Sequence, residues 1–563
     1  MLFSGWMTSI HFLPWNSWHN EVPAFASVVL LFGTLVKWQT NRGCAPVLLP
    51  HVAWPLVLLC VVVVLQAAIG QIAFLGDAVV LCFYFALCLF SLSVGYAAFS
   101  LGEQGTASRT SIVQALAVLI VLGGMFSVIA ALVQTLDVWD FHGWIVPLQN
   151  QRRPGGNMAQ PNQLATLILF ALASVVYLFE SQRLHAALTS LITLVLLCGL
   201  ALTESRSGVL SLLLLAVWWL SKRTRLGTTL SVGVAVLWVV LFACCFWFWP
   251  SCFNFIQEAG WAGFADTPHA TFEQVNTSVG TRLIVWPQLW AAAWMHPWFG
   301  WGLREVSTAH NAVVHQYTQT EAFAYAHNIG LDLAVGVGLP LTVLLICATG
   351  VWFGRRARAV NDLQSWYCIA VVLPFGVHSM LEYPFAYAYL LVPVMILVGV
   401  LEAKLAPRNV ARLPSLLAAS VWVLVSFAMA WSVFEYIAIE EDFRIVRFES
   451  LHLGQTPAGY ERPHVLMLTQ LEALLDAGRI VPAPHMDRER IELARKVALR
   501  FPWPATQNRY ALSLALNGNP EEARRQLKVM RVMHGEKTYQ SIMGNWSALG
   551  NSKYPQLREF VAP

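Results

Sequence analysis

Apolar runs of about 18 residues or more recur along the chain between short polar stretches, and a helix of that length matches the hydrocarbon thickness of a bilayer. A window of about 19 residues places candidate spans near 21–37, 52–70, 77–100, 112–135, 163–180 and 184–202. Six more follow near 207–221, 228–250, 327–353, 366–381, 386–403 and 413–436. The pattern predicts an all-α, polytopic helical membrane protein with about 12 spans. Two segments outside the runs are long: residues from about 251 to 326, and everything after about 437. The stretch Met1 to Pro14 is apolar but too short to span at ~1.5 Å per residue. It is expected to be an interfacial segment or the remnant of a longer leading helix. It has neither the basic start nor the small-residue cleavage site of a signal peptide.

Lys and Arg set the orientation. One series of alternate loops holds Lys37, Arg42, Arg109, Arg183, Lys222, Arg223, Arg225, Arg355, Arg356, Arg358, Lys404, Arg408 and Arg412. The opposite series holds only Arg152, Arg153, Arg206, Arg282 and Arg304. The basic-rich series is expected on the cytoplasmic side, which puts both chain ends and both long segments on the outer face. The expected division is a membrane domain over 1–436, with its large outer loop at about 251–326, and an outer helical tail over 437–563. Within the tail, Trp503 to Gly535 reads as two amphipathic helices around Asn517-Gly518-Asn519-Pro520. Ala511, Leu514, Ala515, Ala523, Leu527 and Met530 alternate small and large side chains as helix-on-helix packing requires, so one tetratricopeptide-like hairpin is expected, without a second clear copy.

Composition narrows the class. Of 563 residues, 57% are hydrophobic and 12% charged, against roughly 25% charged in soluble domains. With a mean hydropathy of +0.58, a soluble globular protein is excluded. The net charge of +4 sits in loops and the tail, so nucleic acid is not implied as a partner and membrane lipids are. The ten cysteines lie mostly in or beside apolar runs without metal-ligand spacing; they read as small hydrophobes, and no metal site is expected.

Polar groups at membrane depth are costly, which makes those retained there candidates for function. Five places, all assigned to the outer face, stand out. Arg152-Arg153 followed by Gly155-Gly156-Asn157-Met158-Ala159-Gln160-Pro161-Asn162 opens a helix whose N-terminus suits an anion or a sugar, although Pro161 and Asn162 are also ordinary helix-start residues. Thr203-Glu204-Ser205-Arg206-Ser207-Gly208 sets a guanidinium near the apolar region, with Glu204 or a phosphate as its partner. Gly280-Thr281-Arg282 is expected to start an amphipathic helix in which Trp286, Trp290, Trp294, Trp298 and Trp301 form a belt at headgroup level. Tyr325-Ala326-His327-Asn328 opens a span, with Asn328 as a natural N-cap and His327 as a proton acceptor; His310 and His315 compete for that role. Finally, in His378-Ser379-Met380-Leu381-Glu382-Tyr383-Pro384, Glu382 can pair with a cation and Tyr383 can donate a hydrogen bond, or both can be belt residues.

In order along the chain, His11-Phe12-Leu13-Pro14-Trp15 with Glu21, GNMAQPNQLAT, TESRSG, TRLIVW, HPWFGWGLRE, AYAHN and HSMLEYP resemble the motifs of the bacterial protein O-oligosaccharyltransferases of the PglL type, relatives of the O-antigen ligases and polymerases. The resemblance covers most of the membrane part. It implies a GT-C-like fold in the bacterial inner membrane and transfer of a glycan from undecaprenyl diphosphate to Ser or Thr hydroxyls of a periplasmic, pilin-like protein, without metal or cofactor. Gln160, Arg206, Arg282, His327 and Tyr383 carry over as functional positions. Arg206 and Arg282 are expected to hold the diphosphate and His327 to take the acceptor's proton, with inversion at the sugar. Gln160, Asn162, Asn328, Glu382 and Tyr383 are expected to position substrate. Two departures stand out: many relatives have a longer leading helix, and the positions where they carry an acid before a glycine after AYAHN read Ala334-Val335-Gly336 here. The alternatives are an O-antigen ligase acting on lipid A core, an O-antigen polymerase, or a transporter of lipid-linked glycan. A transporter would show repeated halves and midplane charges, and neither is visible.

Overall fold

A computed structural model describes residues 1–41, 43, 45–102, 111–136, 143–148, 153–258 and 272–561. Arg42, Cys44, Arg109, Arg152 and residues 259–271 of the long loop lie outside the described residues. Eleven of the twelve apolar runs fall on one helix each, Trp18–Asn41, Trp54–Ala68, Leu75–Gly102, Ser111–Leu136, Pro161–Glu180, Ala186–Leu202, Arg206–Leu226, Val232–Glu258, Leu363–Ser379, Ala388–Leu405 and Ser415–Ser450, and the other is divided and ends in Leu339–Ala359. Among the described residues eight helices are long and apolar enough to cross a membrane. The other four are shorter, or end in a basic turn such as Arg223 with Arg225 or Arg356 with Arg358. The fold is all-α apart from one two-stranded antiparallel ribbon, Val47–Pro50 with Val410–Leu413, whose register pairs Val47 with Leu413.

Three boundaries differ from expectation. The run 327–353 is two helices, Ile329–Val337 and Leu339–Ala359, because Gly338 takes φ 84° and Pro340 follows. The last run does not end near 436; its helix continues to Ser450, since a polar sequence ends apolar character but not backbone hydrogen bonding. The tryptophan-rich helix spans Phe272–Met295 of the described residues, so Arg282 lies inside it and not at its first turn; Gly280 is tolerated there without ending the helix.

The chain forms two compact units. The first comprises residues 1–57, 84–271 and 348–427. Its centre is Pro161–Glu180, in which Leu164, Leu167, Ile168, Leu169 and Phe170 are fully buried. Four helices pack around it: Ser111–Leu136, Ala186–Leu202, Arg206–Leu226 and Leu363–Ser379. The loops of the basic-rich series are tied together. Lys222 donates to the Ala357 carbonyl at 2.6 Å, Arg356 grips Glu402 at 2.5 and 2.7 Å, and Lys404 pairs with Asp362 at 2.6 Å.

The second unit comprises residues 58–83, 272–347 and 428–563. One core gathers Val285, Leu289, Ala292, Val306, Ala309, Ala334 and Val335. The hairpin in the tail is Pro504–Leu516 with the first part of Pro520–Ser552, which breaks at Gly535 (φ 78°), and all six of its predicted packing residues are buried in one cluster. Several contacts join the tail to the rest of this unit. Thr469 accepts the Gly76 N–H at 2.9 Å, Phe74 packs with Leu474 and Val497, and the buried amides of Asn311 and Gln526 bond to each other.

Candidate functional site

The eight predicted site residues divide five to three between the units. Gln160, Asn162, Arg206, Glu382 and Tyr383 lie in the first; Arg282, His327 and Asn328 lie in the second.

In the first unit the glycine-rich turn is shaped by backbone that few residues tolerate. Gly156 has φ 58° and Ala159 φ 54°, and a Cβ on Gly155 would come within 2.2 Å of the Gln160 nitrogen. Gln134 brackets the turn, accepting from the Gly156 N–H at 2.9 Å and donating to its carbonyl at 3.0 Å. The early motif meets the same place, because His11 bonds the Asn157 carbonyl at 2.8 Å and the Asn157 amide donates to Met7 at 2.7 Å. Gln160 is the N-cap, its side-chain oxygen accepting the Gln163 N–H at 2.7 Å, with Pro161 at the first helical position.

Asn162, one residue on, joins three motifs. Its oxygen accepts from Ser205 at 2.7 Å and from Arg153 at 3.2 Å, while its amide donates to Glu382 at 3.3 Å. Arg153 also donates to the Thr203 carbonyl at 2.8 Å. Ser205 caps the helix Arg206–Leu226, and Arg206, its first residue, is exposed beside this cluster. Glu21 accepts from Tyr84 at 2.9 Å and from the Ala388 N–H at 2.7 Å, which fixes the chain just beyond Tyr383. Tyr383 stacks on Tyr387 with centroids 5.8 Å apart. His378, one turn earlier, bonds Thr166 at 2.7 Å.

In the second unit His327 has φ 56° and its ring lies 4.3 Å from that of Phe323. Its Nδ1 is 3.0 Å from the Tyr325 carbonyl. A carbonyl only accepts, so Nδ1 carries the hydrogen and the lone pair of the neutral ring is on Nε2. Burial, reinforced by the charge of Arg282, pulls its pKa down to about 4. Asn328 is the N-cap, accepting the Leu331 N–H at 3.0 Å. Asp332 accepts the Ala326 N–H at 3.0 Å. The motif positions Ala334 to Gly336 hold no acid, yet Asp332 supplies one two residues nearer the histidine; its i, i+4 spacing from Asn328, which puts both on one helix face, is the signal that sequence reading passes over.

The other histidines are placed differently. His310 is fully buried between Gln288 at 2.8 Å and Thr320 at 3.0 Å, and burial lowers it to about 4. His315 lies near Arg525, Lys528 and Glu522 of the tail. The tryptophan belt divides: Trp290, Trp294 and Trp298 are exposed, whereas Trp286 donates to Ala326 and Trp301 to Ala292, each at 2.8 Å. Helical spacing alone does not distinguish an indole that faces out from one whose N–H has an internal carbonyl to reach. Among the described residues no three His, Cys, Asp or Glu side chains gather as a metal ion would need.

Comparison with known proteins follows this geometry. Residues 154–179 match a family model described as protein glycosylation ligase, residues 191–346 one described as O-antigen ligase, and residues 366–546 one described as virulence factor membrane-bound polymerase, C-terminal. All eight candidate residues fall within these segments. The chain is 24% identical over 557 residues to a general O-oligosaccharyltransferase of Acinetobacter baylyi, covering 97% of this chain and 94% of that protein. It is 27% identical over 352 residues to a ComP-specific O-oligosaccharyltransferase of the same organism, covering 61% and 60%. The resemblance read from the motifs thus extends along nearly the whole chain.

Proposed function

We propose that this chain transfers a glycan from undecaprenyl diphosphate to a Ser or Thr hydroxyl of a periplasmic, pilin-like protein at the periplasmic face of the bacterial inner membrane. The observation that carries this reading is His327: a ring kept neutral by burial, oriented by Tyr325, with its lone pair on Nε2. The similarity to two O-oligosaccharyltransferases supports the class of reaction.

The acceptor oxygen attacks the anomeric carbon, the bond from that carbon to the diphosphate oxygen breaks, and the hydroxyl proton passes to Nε2. Attack opposite the leaving group inverts the anomeric centre. A sugar diphosphate is already activated, so the protein need only stabilise the departing charge, and Arg282 and Arg206 are the guanidiniums assigned to it, with neither metal nor cofactor. Arg282 also tunes the base: diphosphate bound there cancels the charge that depresses His327, so the ring becomes more basic once the donor is in place. Asn162, with Ser205, Arg153 and Glu382 around it, positions sugar hydroxyls, and Gln160, Tyr383 and Asn328 hold the turns that present them. Residues 1–436 form the membrane domain and 437–563 the periplasmic tail.

The match of residues 191–346 to the O-antigen ligase model supports a second acceptor, the lipid A core. The two readings part in one assay: purified enzyme with lipid-linked glycan is offered a pilin-like protein or lipid A core. Protein glycosylation that disappears in His327→Ala is expected. Transfer to the lipid core alone would overturn the protein acceptor.

A further inference from the structure

Asp77 opens the helix Leu75–Gly102 with a carboxylate only 1% exposed, and two guanidiniums face it. Arg500, at the end of the tail helix Arg488–Arg500, takes both oxygens in a fork, 2.7 Å each, and is itself 5% exposed. Arg304 stands 3.6 Å from one of those oxygens and lies over the ring of Tyr325 at 4.7 Å. The Tyr325 carbonyl is the group that holds His327 Nδ1. Four segments far apart in sequence thus form one line inside the second unit, from the tail to the candidate base.

We infer that Arg500 is a positioning residue for His327, acting through Asp77 and Arg304. This rests on the reading of His327 as the base. A buried carboxylate takes whatever cation can reach it, because an unpaired charge in a low-dielectric interior is the costliest arrangement. Arg500 takes both Asp77 oxygens at 2.7 Å, while Arg304 shares one of them at 3.6 Å and rests on Tyr325. Without Arg500 the nearest cation is Arg304. It moves to charge-assisted contact at about 2.8 Å and leaves the ring, so Tyr325 loses that support while Ala326 stays held by Trp286 and Asp332, and the Tyr325 carbonyl shifts against His327 Nδ1. The tail has independent anchors at Thr469 with Gly76, in the Phe74 cluster and at Asn311 with Gln526, which keep it docked when Arg500 is changed.

The test uses the full chain in lipid nanodiscs, with undecaprenyl diphosphate-linked oligosaccharide and a pilin-like acceptor. Arg500→Gln is expected to lower kcat about tenfold or more with donor KM within about twofold, as a displaced catalytic group would. Limited proteolysis of the tail stays as in the parent protein. Arg304→Gln gives the same kcat loss, and combining the two adds nothing further. The discriminating variant is Asp77→Asn with Arg500→Gln: with no charge to draw Arg304 away, it is more active than Arg500→Gln alone. If Arg500→Gln does not fold, Arg500→Lys replaces it, with a smaller kcat loss that Asp77→Asn again relieves. A double variant no better than the single, or a kcat loss that tracks release of the tail, overturns the inference. Retained activity in His327→Ala fails the base assignment itself, and is a separate result.

Discussion

At His327 desolvation and the Arg282 charge act in the same direction, and both favour the neutral ring. Activity that needs this ring unprotonated is present above its folded pKa and lost as pH falls through it. For the free enzyme that limb lies far below the ordinary 6.5, near the value of about 4 that burial and Arg282 set. We predict that Arg282→Gln moves the acid limb of kcat/KM to higher pH without bringing it to 6.5, because desolvation, the larger cause, remains; a limb that stays in place separates Arg282 from His327. His310 has a similarly low value from burial alone, but it is enclosed and bonded to Gln288. His310→Ala should therefore keep kcat while lowering unfolding stability by about 1–3 kcal/mol, the usual cost of orphaning a buried partner, whereas His327→Ala should abolish transfer with expression and insertion intact. Comparable loss of kcat in both variants would remove the distinction. The sequence shows His327 because a local motif frames it. Asp77, Arg304 and Arg500 are not legible in it: their meaning is one carboxylate shared across 423 positions of chain, and no window along the sequence contains it.

Three of the motif helices begin in the same way. A non-glycine residue with positive φ is followed by an N-cap whose side chain accepts from the third helical N–H: Ala159 before Gln160, Glu204 before Ser205, and His327 before Asn328. Left-handed backbone costs an L residue about 1–2 kcal/mol, and it is retained here at the turns that hold the candidate site. The cap makes the turn, so Asn328→Ala should cost about 1 kcal/mol of stability, read as a lower melting temperature, and lower kcat because His327 is the preceding residue. Asn328→Asp keeps the acceptor and should retain most of both; equal damage from the two would mean the cap is not what matters. Gly338 is the other element-scale device. At φ 84°, with a Cβ predicted 2.4 Å from the Trp298 carbonyl, Gly338→Ala should break the pairing in which Trp301 and Gly302 donate to Val335 and Gly336. The cap at Asn328 and the existence of the apolar helices are readable from residue type and hydrophobic run length, whereas the caps at Gln160 and Ser205 show only in the structure. The break at Gly338 and the place of Arg282 inside a helix are not, because hydropathy is the same on either side of a kink and a glycine inside a helix differs from one that ends it only in its neighbours.

Over the whole molecule, sidedness can be argued from which loops touch. In the first unit the loops assigned to the cytoplasm are bonded to one another, at Lys222 with Ala357, Lys404 with Asp362 and through the ribbon of Val47–Pro50 with Val410–Leu413. The Thr203 and Asn162 turns of the opposite series join through Arg153. Loops that share hydrogen bonds share a side of the membrane, so each of these two groups of loops keeps to one side. In the second unit the tail is bonded to the segment that carries His327: Arg525 donates to the Asn311 carbonyl at 3.2 Å, and Gln526 pairs with the Asn311 amide. A tail and a loop joined in this way cannot face opposite compartments. We therefore predict that reporter fusions near Asn276 and at Gly535 give the same compartment as each other, and that fusions after Lys222 and Arg356 give the other one. The positive-inside bias makes the Lys222 and Arg356 side cytoplasmic, so the first pair should report the periplasm. Split results for Asn276 and Gly535 would contradict the packing of the second unit. A shared cytoplasmic result would leave that packing intact and reverse the orientation, placing His327 on the side opposite to the periplasmic acceptor and removing the basis for transfer to a pilin-like protein.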